Sequence, residues 1–324
     1  MLTVYDAVNG ALIKREGPAA MNAAVWIDLL NPTKDEEQLV EQTLSISVPT
    51  REEMSEIEAS SRLYFEGGAY FMTATVLHQP DVQGEPPIAT PVTFMLASNR
   101  LVTVRYAEPR AFSIFIGRAQ KKDAACMTGS AVLMGLLEAI IDREADRVER
   151  IQGEVDKLSQ TIFGTKGGER TRSRRFDVNI RTIGREGELT SRSRESLLSL
   201  DRLLTFLAHA MSERNDEKAL RARVKTASRD VQSLADHVGY LSTKITFLLD
   251  ATLGMINNEQ NTIIKIFSVL AVALMPPTLV GTIYGMNFKH IPEIEWLWGY
   301  PWALLLMVIS ALVPWLYFKR KGWL

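Results

Sequence analysis

The 324 residues are 46% hydrophobic and 23% charged, with 37 lysines and arginines against 38 aspartates and glutamates and a formal net charge of −1. That balance gives no reason to expect nucleic acid as a partner, and a single cysteine, Cys126, excludes an intrachain disulfide and a cysteine-based zinc cluster. The length predicts one or two domains of roughly 100–200 residues each.

From the N-terminus, Met1-Leu2-Thr3-Val4-Tyr5-Asp6 has neither the basic start nor the apolar core of a cleaved signal, so none is expected. Residues 1 to about 120 alternate short strand and helix signals. Leu2–Tyr5 and Ala11–Lys14 flank Asn9-Gly10, two residues that tolerate positive φ and predict a hairpin. Val25–Leu29 is an apolar strand. Thr33 with Glu36, and Thr50 with Glu53, each have the spacing of a helix-starting capping box. Arg62–Glu66 and Tyr70–Val76 around Gly67-Gly68 predict a second hairpin, and Val92–Leu96 with Leu101–Val104 a third. The region reads as a compact α/β domain with a mixed sheet. His78 has no second histidine at ligand spacing, and no P-loop, Gly-x-Gly-x-x-Gly or Gly-x-Ser-x-Gly pattern occurs, so no catalytic constellation is present. Cys126 reads as a buried small residue.

From about Ser130 the apolar period becomes helical, through Leu133, Leu136, Leu137, Ile140, Ile141, Val148, Ile151, Val155 and Leu158. Gly164 to Gly168 break it. A second helix is expected from about Thr171 to Met211, then a turn at Glu213-Arg214-Asn215-Asp216. A third starts near Glu217 and meets no breaker until Pro276-Pro277. At 1.5 Å per residue it would be on the order of 90 Å long, about three membrane thicknesses, which suits a stalk entering a bilayer.

Two apolar runs follow, from near Ile263 and from Pro301 to Phe318, each about as long as the roughly 17–25 residues a helix needs to cross a bilayer. The polar stretch Lys289–Trp296 between them reads as a surface hairpin. Lys319-Arg320-Lys321 after the second run, and Lys265 at the start of the first, place both termini in the cytoplasm by the positive-inside rule, at the inner membrane. Along the first run, Asn257, Asn261, Ile264, Ser268, Ala271, Met275, Thr278 and Thr282 share one helix face, with Asp250 a heptad earlier. An apolar middle with polar ends is what a dewetting gate between ion-binding zones requires, provided several copies surround an axis. A coiled-coil seam with asparagine as a register device has the same spacing.

Met275-Pro276-Pro277-Thr278, Tyr284-Gly285-Met286-Asn287-Phe288, Pro292-Glu293, Trp296 and Gly299-Tyr300-Pro301 together resemble the CorA family of magnesium channels. Trp26-Ile27-Asp28-Leu29 before Pro32-Thr33 is also similar to the opening of the family's cytoplasmic domains. The family usually has one proline where this chain has Pro276-Pro277. The resemblance implies an α+β membrane protein with a cytoplasmic α/β domain (1–125) and long cytoplasmic helices and stalk (126–262). A pore-lining transmembrane helix (263–287), an outer loop (288–300), a second transmembrane helix (301–318) and a basic tail (319–324) complete it. It further implies a selectivity motif of Gly285, Met286 and Asn287, with Asn287 ringing the pore mouth and meeting hydrated magnesium through its amide. Thr278, Met275, Ala271, Ser268, Ile264, Asn261 and Asp250 would line the pore, and Glu293 and Glu295 would attract cations to its mouth.

Magnesium would be cargo, with cobalt and nickel as further passengers; no cofactor and no enzymatic activity are expected. Partners would be membrane lipid and copies of the same chain, five in this family. Magnesium regulates family members between cytoplasmic domains, but Glu138, Asp142, Asp146, Glu149, Asp230 and Asp236 cannot be matched to the sensing carboxylates. The rival readings are a zinc transporter of the ZntB branch, which resembles Gly-Ile-Asn rather than Gly-Met-Asn, and a two-span membrane sensor.

Overall fold

The computed structural model describes residues 1–15, 21–79, 86–121, 126–164, 172–214, 217–287, 293 and 296–323. The chain divides into two compact units, Met1–Lys166 with Val178–Leu248, and Gly167–Asp177 with Leu249–Leu324.

The first unit is built on a seven-stranded sheet: β1 (Leu2–Val8), β2 (Ala11–Arg15), β3 (Trp26–Leu30), β4 (Leu63–Glu66), β5 (Ala69–His78), β6 (Ile88–Ala97) and β7 (Arg100–Arg105), in the order β2-β1-β3-β7-β6-β5-β4. All three expected hairpins form, and the first turns through Asn9 and Gly10 at φ 51° and 78°. Only β3 and β7 pair in parallel, with Ile27 opposite Val102, so the sheet is mixed. Helices α1 (Lys34–Leu44) and α2 (Arg51–Met54) start at the expected capping boxes of Thr33 with Glu36 and Thr50 with Glu53. Glu36 also accepts hydrogen bonds from the N-terminal ammonium at 2.9 Å and the Leu2 amide at 2.8 Å. Partial burial alone would raise its pKa, but these bonds and that from Thr33 hold it below the usual carboxylate value.

Alternation along β3 sends its side chains to two different cores. Ile27 and Leu29 pack with Val40, Ile46, Val48 and Met54 of the α1–α2 side. Trp26 and Asp28 point the other way, where Trp26 stacks on Tyr5 at 4.5 Å and meets Phe112 and Phe115. There the Trp26 indole donates to Thr103 Oγ1 at 3.0 Å, Thr103 donates to Asp28 at 2.6 Å, and Asp28 pairs with Arg105 at 2.7 Å. Arg105 also lies 4.6 Å over the Phe112 ring. The Trp-Ile-Asp-Leu segment therefore joins both cores.

Phe112 and Phe115 belong to α4 (Arg110–Ala119), an element absent from the sequence reading. Its N-cap is Pro109, which has no side-chain acceptor, so the start signal used for α1 and α2 is missing. A short helix, α3 (Ala59–Arg62), precedes β4. Three long helices follow: α5 (Gly129–Phe163), capped by Thr128; α6 (Arg172–Glu213); and α7 (Lys218–Tyr284). Cys126 is buried, as expected of a small apolar side chain. Of the expected breaks, 165–168 and Asn215-Asp216 lie outside the described residues.

In this unit α6 covers a sheet edge. β4 pairs with β5 only as far as Met72, and beyond it the Thr75 amide donates to Ser199 Oγ at 2.9 Å while the Thr75 carbonyl accepts from Ser196 Oγ at 2.8 Å. Backbone that would otherwise template another strand is thereby satisfied. α5 and α7 are tied by Glu138 with Arg223, Gln152 with His237 and Asp156 with Lys244.

The second unit contains the outer part of α7 and α8 (Gly299–Arg320). Both helices are long and apolar enough to cross a membrane by length and composition. Their ends differ from the sequence expectation. α7 continues through Pro276 and Pro277 without a break but stops at Tyr284, three residues short of 287. α8 runs two residues beyond 301–318 at each end and contains Pro314.

Candidate functional site

The outer part of α7 has two unlike faces. Val269 is buried, and Ala273, Pro276, Pro277, Val280, Gly281 and Tyr284 are partly covered. A Cβ added to Gly281 would sit 3.3 Å from the Met307 Cε of α8, so this face abuts α8. The matching face of α8 has Ala303, Leu306, Met307, Ser310, Ala311 and Pro314 covered, with Leu304, Leu305, Val308, Ile309, Leu312 and Val313 exposed. Small residues on both helices allow close approach, the usual basis of packing in lipid, where apolar side chains gain little by meeting one another.

The expected stripe occupies the other face. Asp250, Asn257, Asn261, Ile264, Ser268, Ala271, Met275, Thr278 and Thr282 are all exposed. At about 100° per residue their mean direction lies roughly half a turn from the face that meets α8. Met275 is the most open of the large apolar ones at 69% exposure. The hydroxyls of Thr278 and Thr282 donate to the carbonyls of Leu274 and Thr278, each at 2.8 Å. That bond satisfies the donor within the helix and leaves the oxygen lone pairs free to accept from a hydrated ion. Pro276 and Pro277 bring no N–H to the carbonyls of Val272 and Ala273, one turn back.

Gly285, Met286 and Asn287 follow the last helical residue and are exposed. The Gly285 amide donates to Gly281 at 3.0 Å and the Met286 amide to Ile283 at 3.3 Å, a tightened helix end that leads into Asn287. Glu293 is described as a turn residue, whereas Glu295 and 288–292, most of the expected hairpin, lie outside the described residues. A Cβ on Gly299 would collide with the Glu293 carbonyl oxygen, so the start of α8 favours glycine at that point.

Aromatic residues mark both ends of α8: Trp296, Trp298, Tyr300 and Trp302 before and within its first turn, Trp315, Tyr317 and Trp323 towards its end. Lys319 lies 4.9 Å over Trp315 and Lys321 5.2 Å over Tyr317. Two interfacial belts separated by about 25 Å of helix suit a bilayer core of about 30 Å with its headgroup margins. The sequence reading used the basic residues and missed the belts and the small-residue face of α8, which Gly299, Ala303, Ser310 and Ala311 could have signalled through their spacing.

Of the six acidic residues without a role, three are ion-paired inside the chain: Glu138 with Arg223, Asp142 with Arg118 and Asp146 with Arg143. Among the described residues no group of three or more His, Cys, Asp or Glu is placed to hold a metal. His78 donates through Nδ1 to the Glu108 carbonyl at 3.0 Å.

A mixed-sheet body, a 67-residue helix and a second apolar helix backed against its outer part define a two-span membrane protein with a large N-terminal domain. Comparison with known proteins narrows that class. The profile of the family described as CorA-like Mg2+ transporter protein matches residues 22–320, and the chain belongs to that family. It is 35% identical over 327 residues to a magnesium transport protein CorA of Yersinia pseudotuberculosis, with all of both chains covered. It is likewise 35% identical over 328 residues to that of Escherichia coli strain K12, again with full coverage of both. In fold it is similar to the complete CorA magnesium transporter from Methanocaldococcus jannaschii, with a TM-score of 0.78 at 18% identity over 100% of this chain and 99% of that one. The cytoplasmic domain of ZntB from Vibrio parahaemolyticus is also similar, with a TM-score of 0.55 at 9% identity over 79% of this chain and 98% of that one.

Proposed function

We propose that this chain is the subunit of a magnesium uptake channel. Copies of α7 surround the pore, α8 forms the lipid-facing ring, and both termini lie in the cytoplasm of a cell bounded by this inner membrane. The observation that carries the reading is the stripe from Asp250 to Thr282, which is exposed along its whole length on the side away from α8 and leads to Gly285-Met286-Asn287. A face that sets Ser268, Thr278 and Thr282 among its apolar residues and leads to Asn287 suits a shared axis better than lipid. The full-length likeness to proteins named for magnesium transport supplies the ion.

The mechanism follows from hydration. Magnesium gives up its water shell reluctantly, so a ring of Asn287 amides would bind the shell rather than the bare ion. Neutral amides hold a divalent cation weakly enough to release it, which conduction requires. Deeper in, the hydroxyls of Thr278 and Ser268 would offer acceptors, while Met275, Ala271 and Ile264 would form the apolar constriction that empties of water when closed. Asn261 and Asp250 would receive the ion at the cytoplasmic end. Glu293 and Glu295 would raise the cation concentration at the mouth. Two charges crossing about 100 mV gain roughly 4–5 kcal/mol, enough to drive uptake without ATP.

In this proposal the ring has five subunits, cytoplasmic magnesium closes it, and cobalt and nickel also pass. The test is influx into proteoliposomes holding the purified protein, wild type beside Asn287→Ala, with magnesium and zinc gradients in parallel. Magnesium influx that falls at least tenfold in the variant is expected. Zinc influx without magnesium influx would assign the protein to zinc transport, and no flux of any ion through a folded oligomer would favour a membrane sensor.

A further inference from the structure

The first unit has a cleft of about 170 Å³ lined by Gln79, Arg110, Arg143, Arg147 and Arg150. Among the described residues no hydrophobic side chain and no carboxylate lines it. Arg143, Arg147 and Arg150 stand at i, i+4 and i+7 on α5, hence on one face, and Arg110 reaches the cleft from the first residue of α4. Arg143 is engaged by Asp146 at 2.9 Å and Arg147 by the buried Glu144. Arg110 and Arg150 have no carboxylate partner among the described residues. With each carboxylate counted against its arginine, two positive charges in one concavity have no counterpart among the described residues. Four guanidinium groups crowded together repel one another, and the α4 N-terminus, uncapped by any side chain, adds its own positive potential.

We infer that this cleft binds a small phosphate-bearing anion. Three properties select that class. Each guanidinium has five N–H donors; Arg143 places one on its carboxylate, and Arg147 one on its carboxylate and one on the Leu77 carbonyl, so most donors remain to be matched. A phosphoryl group offers several acceptor oxygens and high charge, and arginine binds it bidentately, whereas a lone carboxylate would leave most donors unused. The volume is below the roughly 300–1,000 Å³ of a pocket that encloses a drug-sized ligand, so the cleft encloses one or two phosphoryl groups and nothing larger. The site does not depend on the channel reading, since binding can be measured whether or not ions cross.

The test is calorimetric titration of the full-length protein in detergent with inorganic phosphate and with pyrophosphate, in divalent-free buffer at fixed ionic strength. Arg110→Gln and Arg150→Gln change exposed side chains that have no ion pair among the described residues, so both variants are expected to keep the fold; Arg229→Gln, on the exposed surface of α7, is the control. Expected are one pyrophosphate per chain, at least tenfold weaker binding in each of the two cleft variants, and no change in the control. No binding to the folded wild type would overturn the inference, as would equal affinity in all four proteins. Displacement by sulfate and chloride as effective as by pyrophosphate would reduce it to general charge attraction. Oligomers that lose stability in Arg150→Gln, with no anion bound by the wild type, would assign these arginines to carboxylates of a second copy instead.

Discussion

Glu144 is 1% exposed, with one oxygen on Arg147 and the other without a hydrogen-bond partner. Burial pushes its pKa above the usual carboxylate value, against the pull of Arg147. A carboxyl with a raised folded-state pKa holds its proton more tightly folded than unfolded. It therefore lowers stability as pH rises from the ordinary value of about 4.3 through the raised one. Glu144→Gln removes that slope: relative to the variant, the wild type should melt lower at pH 8 than at pH 5, and parallel curves would refute this. The buried Asp28, by contrast, has both oxygens engaged, accepting from Arg105 and from Thr103. Asp28→Ala leaves Arg105 charged and buried, and about 3–5 kcal/mol of stability should be lost, read as a fall in the urea midpoint of the full chain.

At the scale of elements, the α7–α8 contact turns on Gly281, where α7 meets Met307. Gly281→Leu would drive a branched side chain into Met307 and separate the helices, so the detergent-solubilised oligomer should dissociate at lower temperature on size-exclusion chromatography. Gly281→Ala should be tolerated, because the group it meets is the flexible end of a methionine. On the proposed pore face, Met275→Asn would wet the constriction; if internal magnesium closes the channel as proposed, influx into the variant should persist at internal concentrations that stop it in the wild type. The capping boxes of α1 and α2, the three hairpins and the helix starts were legible because each depends on a few adjacent residues. α4 was not, since it begins at a proline and is held by Trp26, 86 positions from Phe112 only in sequence terms. The stripe was legible as a period. Its direction away from α8 was not, because that depends on which face the partner helix covers. The arginine row on α5 was visible at helical spacing, yet only the fold brings Arg110 beside it.

For the whole molecule, the proposed orientation has a direct check. The native cysteine is buried, so Cys126→Ser with a new cysteine at Trp323 should react with an impermeant maleimide only after the vesicle interior is opened to the reagent. Labelling of intact cells would reverse the topology. The exposed stripe of α7 also has a genetic meaning. A conduit enclosed jointly by several subunits belongs to no one chain, so an allele damaged on that face would enter rings alongside its normal counterpart. If the ring has the five positions proposed above, filled at random from two equally expressed alleles, only about one ring in thirty would be wholly normal. Lesions on the stripe should therefore be dominant. Lesions that prevent the sheet from folding remove their chain from assembly and should be recessive.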